Sequence, residues 1–452
     1  MCPKVRIARA TAVLLALAML APLAAARERE PLEVYAARRA KLSAAVNAPI
    51  VLFGYTGLEE ANPSYVFSQE ENFYYLTGHN EEGAALLLMP ASAAEKGWSG
   101  PREIFYLPPR NPQAENWNGP RLAPDDPKIQ DKTGFVYAAS FEKLRGTLAE
   151  VAKSFSEIYT ELPQRDEAGY PHAANWSAWV KQAAPEAQLK DVSSAEATLR
   201  AVKSPGEIAL LTKAIELSVD AHLAAMKMMR PGLYEYQVAA RMVEIHAYGG
   251  CETEAYAPIV GSGFNSTVLH YNKLDRRIED GDIVVLDVGG QYSGYAADIT
   301  RTLPASGKFS QRQREIYEIV LGAQNAALAA VRPGASTRDL NRIAADYINS
   351  HGRDKEGRPL GRYFIHGLSH HIGLDVHDPS GPPRPLEPGM VITMEPGIYI
   401  PEENLGVRIE DDVLITPDGY KILSARLPRS PDEVEAIMAA GRKERDAQPV
   451  AR

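Results

Sequence analysis

Short apolar runs separated by amphipathic or polar stretches fill the first half of the chain, residues 31–190. Apolar residues at helical spacing over residues 32–42 predict an amphipathic helix. The predicted strands are 49–53, 72–78, 84–89 and 103–107. Strands that alternate with helices are typical of a mostly parallel or mixed sheet, so this half is predicted to be an α/β unit.

Two long helical patterns in the second half, which begins near residues 192–194, end in the same way. The first opens at Ser204-Pro205 and closes with Arg230-Pro231-Gly232. The second starts near Gln313 and closes with Arg332-Pro333-Gly334. This recurrence indicates either two αβ halves of one domain or a chance repeat of three residues.

Four acidic residues flank strand-like apolar runs in the second half: Asp287, Asp298, Glu395 and Glu410. A four-residue turn at 291–294 would place Asp287 directly opposite Asp298 in a β-hairpin. A four-residue turn at 401–404 would place Glu395 directly opposite Glu410. Like charges in directly opposed positions destabilise a hairpin, so a fold that keeps two such pairs is expected to hold a cation between them.

Histidines are concentrated near these acidic residues. Four of the ten lie between residues 366 and 377, and two of these four are adjacent, at 370 and 371. The spacing leaves open which imidazole binds a metal. Four carboxylates and one nearby histidine, at His370, would suit two divalent metals roughly 3.5–4 Å apart.

The N-terminal 26 residues differ from the rest of the chain. Lys4, Arg6 and Arg9 precede an uncharged stretch with a leucine-rich centre, and Ala24-Ala25-Ala26 supplies small residues for cleavage. This pattern predicts a secretory signal peptide, and hence an exported, periplasmic or secreted protein. An uncleaved membrane anchor is the alternative, although about 17 apolar residues are marginal for a span.

Composition restricts the choice of partners. Cleavage after residue 26 would remove three positive charges, which changes the net charge from −9 to −12. An acidic surface argues against a nucleic acid partner. No other segment of the sequence is apolar enough to span a bilayer, so no stable membrane insertion is expected after cleavage. Only Cys251 would remain, which excludes an intrachain disulfide.

Six ordered motifs make the sequence similar to a known family. They are 261–271, 286–289, 295–302, 366–378, 393–399 and 406–412. Together they resemble the pita-bread metallopeptidases, and within that family the aminopeptidase P group. Residues 67–78 also resemble the non-catalytic first domain of that group. The resemblance covers nearly the whole mature chain.

The resemblance implies a fold and a division of the chain. The expected fold is α/β (α+β), with an N-terminal mixed α/β domain and a pita-bread catalytic domain built of two pseudo-two-fold αβ halves. The expected segments are a signal peptide at 1–26, the N-terminal domain at 27–192, the catalytic domain at 193–443 and a polar tail at 444–452. Members of the family are often homo-oligomers, which is expected here as well.

The resemblance also implies residue roles. The metal ligands would be Asp287, Asp298, His370, Glu395 and Glu410, with Asp298 and Glu410 bridging two ions. Mn²⁺ is expected, with Co²⁺ or Zn²⁺ as alternatives, since a carboxylate-rich set with one imidazole suits a harder ion. Glu395 would take and pass a proton, and His377 would stabilise the oxyanion. The remaining candidates, which would line the proline site or steady the metal ligands, are His270, His366 and Arg408.

The implied activity is hydrolysis of the bond between an N-terminal residue and a following proline. Peptides with proline in the second position would be the substrates. Two alternatives stay open at this point: a prolidase that cleaves only Xaa-Pro dipeptides, and a non-catalytic relative that binds peptides. The ligand set is complete in the sequence, which disfavours the non-catalytic alternative.

Overall fold

A computed structural model describes residues 27–59, 67–163 and 176–447. The predicted signal peptide at 1–26 lies outside the described residues. Of the helices in the described ranges, none has both the length and the apolar character that crossing a membrane requires.

The first half folds around one six-stranded sheet. Its helices are α1 (Leu32–Val46), α2 (Glu71–Thr77), α3 (Pro112–Asn118), α4 (Ile129–Thr133), α5 (Leu144–Ser154) and α6 (Ser177–Ala183). Its strands are β1 (Ile50–Phe53), β2 (Ala85–Leu88), β3 (Glu103–Leu107), β4 (Ala138–Ser140), β5 (Glu157–Thr160) and β6 (Gln188–Asp191). The strand order is β4-β3-β2-β1-β5-β6. Antiparallel pairs join β1, β2 and β3, and the other pairs are parallel, so the predicted mixed sheet is confirmed.

One predicted strand of this half is wrong, because residues 71–77 form helix α2. The side chain of Glu70 accepts hydrogen bonds from the backbone N–H groups of Asn72 and Phe73, which caps the helix. Gly78 ends it in the left-handed conformation, with φ 64°. Aromatic residues favour strands, but these caps and the burial of Phe73 outweigh that preference.

The second half repeats an order of two helices followed by antiparallel strands. The helices are α7 (Ser193–Ala201), α8 (Pro205–Met228), α9 (Glu235–Gly249), α10 (Gln311–Leu328), α11 (Thr337–His351) and α12 (Pro431–Asp446). The strands are β7 (Thr253–Glu254), β8 (Ile259–Ser262), β9 (Ile283–Asp287), β10 (Gly290–Tyr292), β11 (Tyr295–Ala296), β12 (Thr300–Pro304), β13 (Val391–Met394), β14 (Gly397–Ile400), β15 (Leu405–Arg408), β16 (Asp411–Thr416) and β17 (Gly419–Ile422). Short 3-10 helices lie at Ala91–Lys96, Phe141–Lys143, Gly263–Thr267, Leu360–Tyr363 and Pro401–Glu403.

Two features of this half bear on the predictions. The pair α8–α9 precedes the sheet β12-β9-β8, and the pair α10–α11 precedes the sheet β13-β16-β17, which is the order expected of two αβ halves. Helix α12 continues to Asp446, three residues into the predicted polar tail at 444–452. The last five residues of that tail, 448–452, lie outside the described ranges.

The first predicted hairpin has a different register. Its turn consists of Ser293 and Gly294 alone, both at positive φ (51° and 83°), as a two-residue hairpin turn requires. Asp287 therefore pairs with Thr300, and Asp298 is opposite Gly289. A slip of two residues keeps every side chain on its face of the sheet, so both aspartates still point the same way.

The second predicted hairpin is confirmed. Ile400 pairs with Leu405 around the turn at 401–404, where Asn404 takes the left-handed conformation. Gly397 pairs with Arg408 in that ladder. The β13–β16 ladder below it has the same register, so Glu395 is opposite Glu410 between the two ladders.

Candidate active site

A cavity of about 550 Å³ lies between the two hairpins. Its lining includes every residue that the sequence predicted for the site: His270, Asp287, Asp298, His366, His370, His377, Glu395, Arg408 and Glu410. Residues up to 140 positions apart in the chain are therefore brought to one place, which a sequence motif alone does not establish.

The two aspartates of the first hairpin share one neighbour. The hydroxyl oxygen of Tyr256 lies 2.5 Å from Oδ1 of Asp287 and 2.7 Å from Oδ1 of Asp298. The two carboxylates therefore lie close together even though their residues are not directly opposed. All three side chains face the cavity.

The carboxylates of the second hairpin meet the first hairpin at the same point. Thr300 donates from its hydroxyl to Oε2 of Glu410 over 2.7 Å. Nε2 of His370 lies 3.4 Å from Oδ2 of Asp298 and 3.4 Å from Oε1 of Glu395. One donor atom from each of Asp298, His370 and Glu410 lies within 4.8 Å of the others, a spacing that can hold a metal ion.

The ring of His370 is oriented for this role. Its Nδ1 lies 3.0 Å from the carbonyl oxygen of His371, and a carbonyl can only accept, so Nδ1 carries the hydrogen. Nε2 is then left unprotonated in the neutral ring and points at the carboxylates. A backbone carbonyl that fixes the tautomer in this way is a common feature of metal-binding histidines.

Electrostatics show that the site accepts positive charge. Burial, with repulsion from Asp298, raises the pKa of Glu410 well above its ordinary value. Burial raises the pKa of Glu395 to about 7, again with a contribution from Asp298. Clustered buried carboxylates are stabilised in their charged form by a nearby cation. The donor set, four carboxylates and one imidazole, therefore fits divalent metal ions.

Arg408 and Tyr399 form a hydrogen-bonded chain to His366. Nη1 of Arg408 donates to the hydroxyl of Tyr399 over 2.8 Å, and that hydroxyl lies 2.8 Å from Nε2 of His366. Nδ1 of His366 faces the carbonyl oxygen of Gly367 at 2.8 Å, so Nδ1 donates and Nε2 accepts from Tyr399. Burial lowers the pKa of His366 to about 4, which keeps this ring neutral.

Arg408 contacts the carboxylate of Asp287 through one nitrogen. Its Nη2 donates to Oδ2 of Asp287 over 2.6 Å. Nε donates to Thr300, over 3.2 Å. The guanidinium spreads its hydrogen bonds over several partners and so holds both hairpins.

His377 and His270 stand at the exposed side of the cavity. The ring centroid of His377 is 4.2 Å from that of His370, in an edge-to-face arrangement. His270 follows Leu269, whose carbonyl oxygen accepts from Arg408. Both imidazoles are open to a molecule that enters the cavity, as a substrate-contacting role requires.

Tyr256 and Thr300 belong to the site but were not predicted. Tyr256 comes from the turn before β8, and no local pattern in the sequence marks it. Thr300 follows Asp298 by two positions, so strand alternation alone would have placed its side chain on the same face. The pair Arg301 and Asp411, both fully buried and 2.7 Å apart, lies behind the site and was missed as well.

Comparisons with known proteins show which family the chain resembles. Residues 209–417 match the metallopeptidase family M24, and residues 35–159 match the N-terminal domain of aminopeptidase P. A Xaa-Pro aminopeptidase of Haemophilus influenzae is 35% identical over 436 residues, which cover 90% of this chain and 97% of that protein. A Xaa-Pro dipeptidase of Pyrococcus furiosus is 39% identical over 278 residues. That match covers 60% of this chain and 77% of the dipeptidase.

A solved structure extends the likeness to the fold. Zinc-substituted aminopeptidase P of Escherichia coli, in complex with product, superposes with a TM-score of 0.81 at 31% identity. The match covers 92% of this chain and 99% of that one. It includes both the N-terminal region and the region of the cavity. The chain therefore belongs to metallopeptidase family M24, in its aminopeptidase P group.

Proposed function

We propose that the protein is a Xaa-Pro aminopeptidase, which releases the N-terminal residue from peptides with proline in the second position. The observation that carries this proposal is the coincidence of a complete carboxylate–imidazole site with full-length similarity to an enzyme of that activity. The match to the dipeptidase covers a smaller part of the chain, which favours the aminopeptidase.

The residues that would hold two divalent ions are Asp287, Asp298, His370, Glu395 and Glu410, and we propose Mn²⁺ as the ion. Bound ions of this kind lower the pKa of a coordinated water and polarise the carbonyl of the scissile bond. The preference for Mn²⁺ rests on the four carboxylates, since oxygen ligands favour harder ions.

The side chains around the ligands would carry the rest of the reaction. Glu395 would accept the proton of the attacking water and pass it to the leaving nitrogen, since its carboxylate faces the cavity in which the water and the peptide would lie. His377 donates a hydrogen bond to the oxyanion from the open side of the cavity. His366 and His270 lie on the wall that the proline ring would contact, and Arg408 holds the carboxylate of Asp287.

Substrate choice tests the proposed activity directly. We expect purified protein with added Mn²⁺ to cleave Xaa-Pro-Yaa and to leave Xaa-Ala-Yaa nearly untouched. Hydrolysis is measured by release of the free N-terminal residue. Cleavage of Xaa-Pro dipeptides without cleavage of Xaa-Pro-Yaa would establish a prolidase instead. Binding without cleavage of either peptide would establish a non-catalytic relative.

We also propose export, with a mature chain that begins near Arg27. The basic, then apolar, then small-residue order of residues 1–26 supports this proposal. N-terminal sequencing of protein from the native host should return Arg27 or a neighbouring residue. An intact Met1 on membrane-bound protein would contradict it.

A further inference from the structure

The loop between His370 and His377 is closed around a buried carboxylate, that of Asp378. The backbone N–H of Asp378 donates to the carbonyl oxygen of His371 over 2.9 Å. The backbone N–H of Asp375 donates to Oδ1 of Asp378 over 3.2 Å. The loop therefore wraps around this side chain, and the position of His377 depends on how Asp378 is held.

Two cations from outside the loop hold that carboxylate. Nη2 of Arg200 lies 2.5 Å from Oδ1 of Asp378, and Nζ of Lys203 lies 3.1 Å from Oδ2. The side chains of all three are at most 2% exposed. The same Nη2 also lies 2.6 Å from Oδ2 of Asp375. A buried ion network of this kind is costly to break, because a charge is left without its partner.

Arg200 also reaches back to the first half of the chain. Its Nη1 donates to Oδ1 of Asn72 over 2.7 Å, and Asn72 lies in α2 beside the six-stranded sheet. Nδ2 of Asn72 donates in turn to Oε1 of Glu161, over 2.7 Å. One guanidinium in α7 thus joins the N-terminal region to the loop that carries the histidines.

We propose that Arg200 is a positioning residue, which holds His377 in place for catalysis by anchoring Asp378, and that Asn72 extends this support into the N-terminal region. The proposal rests on the proposed function, since it needs the role given there to His377. It assigns to the N-terminal region a share in the geometry of the active site.

The expected consequence follows from the contacts on the two sides of the loop. Without Arg200, Asp378 keeps only Lys203 as a buried counter-ion, so the loop relaxes and His377 moves. A misplacement of about 1 Å can cost roughly 10²-fold in rate.

The carbonyl of His371, which orients the ring of His370, also accepts from Asp378, but the backbone of both histidines is paired with β13 outside the loop. The N–H of His370 donates to the hydroxyl of Thr393, the N–H of Thr393 donates to the carbonyl oxygen of His370, and His371 forms a β-bridge with Ile392. Metal binding should therefore persist.

A double-mutant cycle tests whether Arg200 acts through His377. We expect Arg200→Met to lower kcat by about 10–100-fold, with KM changed by less than about threefold and bound metal as in the wild type. In a His377→Ala background, Arg200→Met should have almost no further effect on kcat. An undiminished loss in that background, or loss of metal in the single variant, would overturn the proposal.

The matched control is Arg38→Met. Arg38 is also buried and also links the two halves, through ion pairs with Glu30 and Glu207 at 2.9 and 3.1 Å. Its hydrogen bonds and ion pairs with described residues do not involve the loop. It should lower thermal stability and leave kcat near the wild-type value. An equal fall of kcat in both variants would show that the effect is a general loss of packing, and the proposal would fail.

A milder variant keeps the test open if Arg200→Met does not fold. Asn72→Ala removes the acceptor for Arg200 and the hydrogen bond to Glu161 but leaves both ion pairs of Asp378 in place. Its effect on kcat should therefore be smaller and should likewise vanish in the His377→Ala background. An additive effect would contradict the proposal. The assay uses a Xaa-Pro-Yaa peptide. If the proposed function is wrong, the wild type does not cleave this peptide. If only the positioning role is wrong, the wild type cleaves it and the variants do not show the expected kcat values.

Discussion

His377→Ala should lower kcat by about 10²–10³-fold while the protein keeps its bound metal, because loss of one oxyanion donor typically has a cost of this size. The ring of His377 lies edge-to-face against His370 on the open side of the cavity, where it can contact a bound peptide. KM should change less than kcat, since in the proposed role the hydrogen bond of His377 forms in the transition state and not with the peptide in its ground state.

His370→Ala is the matched comparison, and it should lose metal first. Its Nε2 lies 3.4 Å from a carboxylate oxygen of each hairpin, that of Asp298 and that of Glu395. Elemental analysis and steady-state kinetics on the two variants side by side separate the roles. A His377→Ala protein that is depleted of metal, beside a His370→Ala protein that keeps it, would show that the two assignments are exchanged.

Asp298→Ala should reduce metal content and abolish most turnover. The carboxylate of Asp298 shares the hydroxyl of Tyr256 with Asp287 and lies 3.4 Å from Nε2 of His370. It therefore lies on the side of the first hairpin that faces His370. Loss of groups that merely support ligands costs roughly 10–100-fold in affinity or activity. If Asp298 bridges two ions as proposed, its loss should cost more than this.

The control for Asp298→Ala is Asp280→Ala, an exposed aspartate in the turn before β9. It should retain wild-type metal content and turnover. Wild-type metal content in Asp298→Ala, measured by elemental analysis, would refute the bridging assignment and make Asp298 a structural residue of the hairpin.

The two hairpins show what the sequence could predict and why it failed in one case. The turn at 401–404 was identified correctly, and both ladders beside it fix Glu395 opposite Glu410. The turn of the first hairpin was assumed to have four residues, but Ser293-Gly294 is a tight two-residue turn. The error did not change the predicted site, because a shift of the register by two positions leaves each side chain on the same face of the strand.

The site residues that were not predicted contact residues far away in the sequence. Tyr256 contacts two aspartates that lie 31 and 42 positions later, and no periodicity encodes that meeting. Arg200 approaches Asp378 from 178 positions away. The strand predicted at 72–78 failed for a local reason, since Glu70 caps a helix that the aromatic composition concealed.

Metal titration of the stripped protein tests the central claim most directly. Protein is treated with chelator and dialysed, Mn²⁺ is added in steps, and bound metal and hydrolysis of Xaa-Pro-Yaa are measured on the same samples. The five proposed ligands, four of them carboxylates, bind metal in their deprotonated form and should hold two ions per chain. Turnover should rise from near zero as these ions bind. Full turnover in metal-free protein, or no metal bound at saturation, would contradict the account.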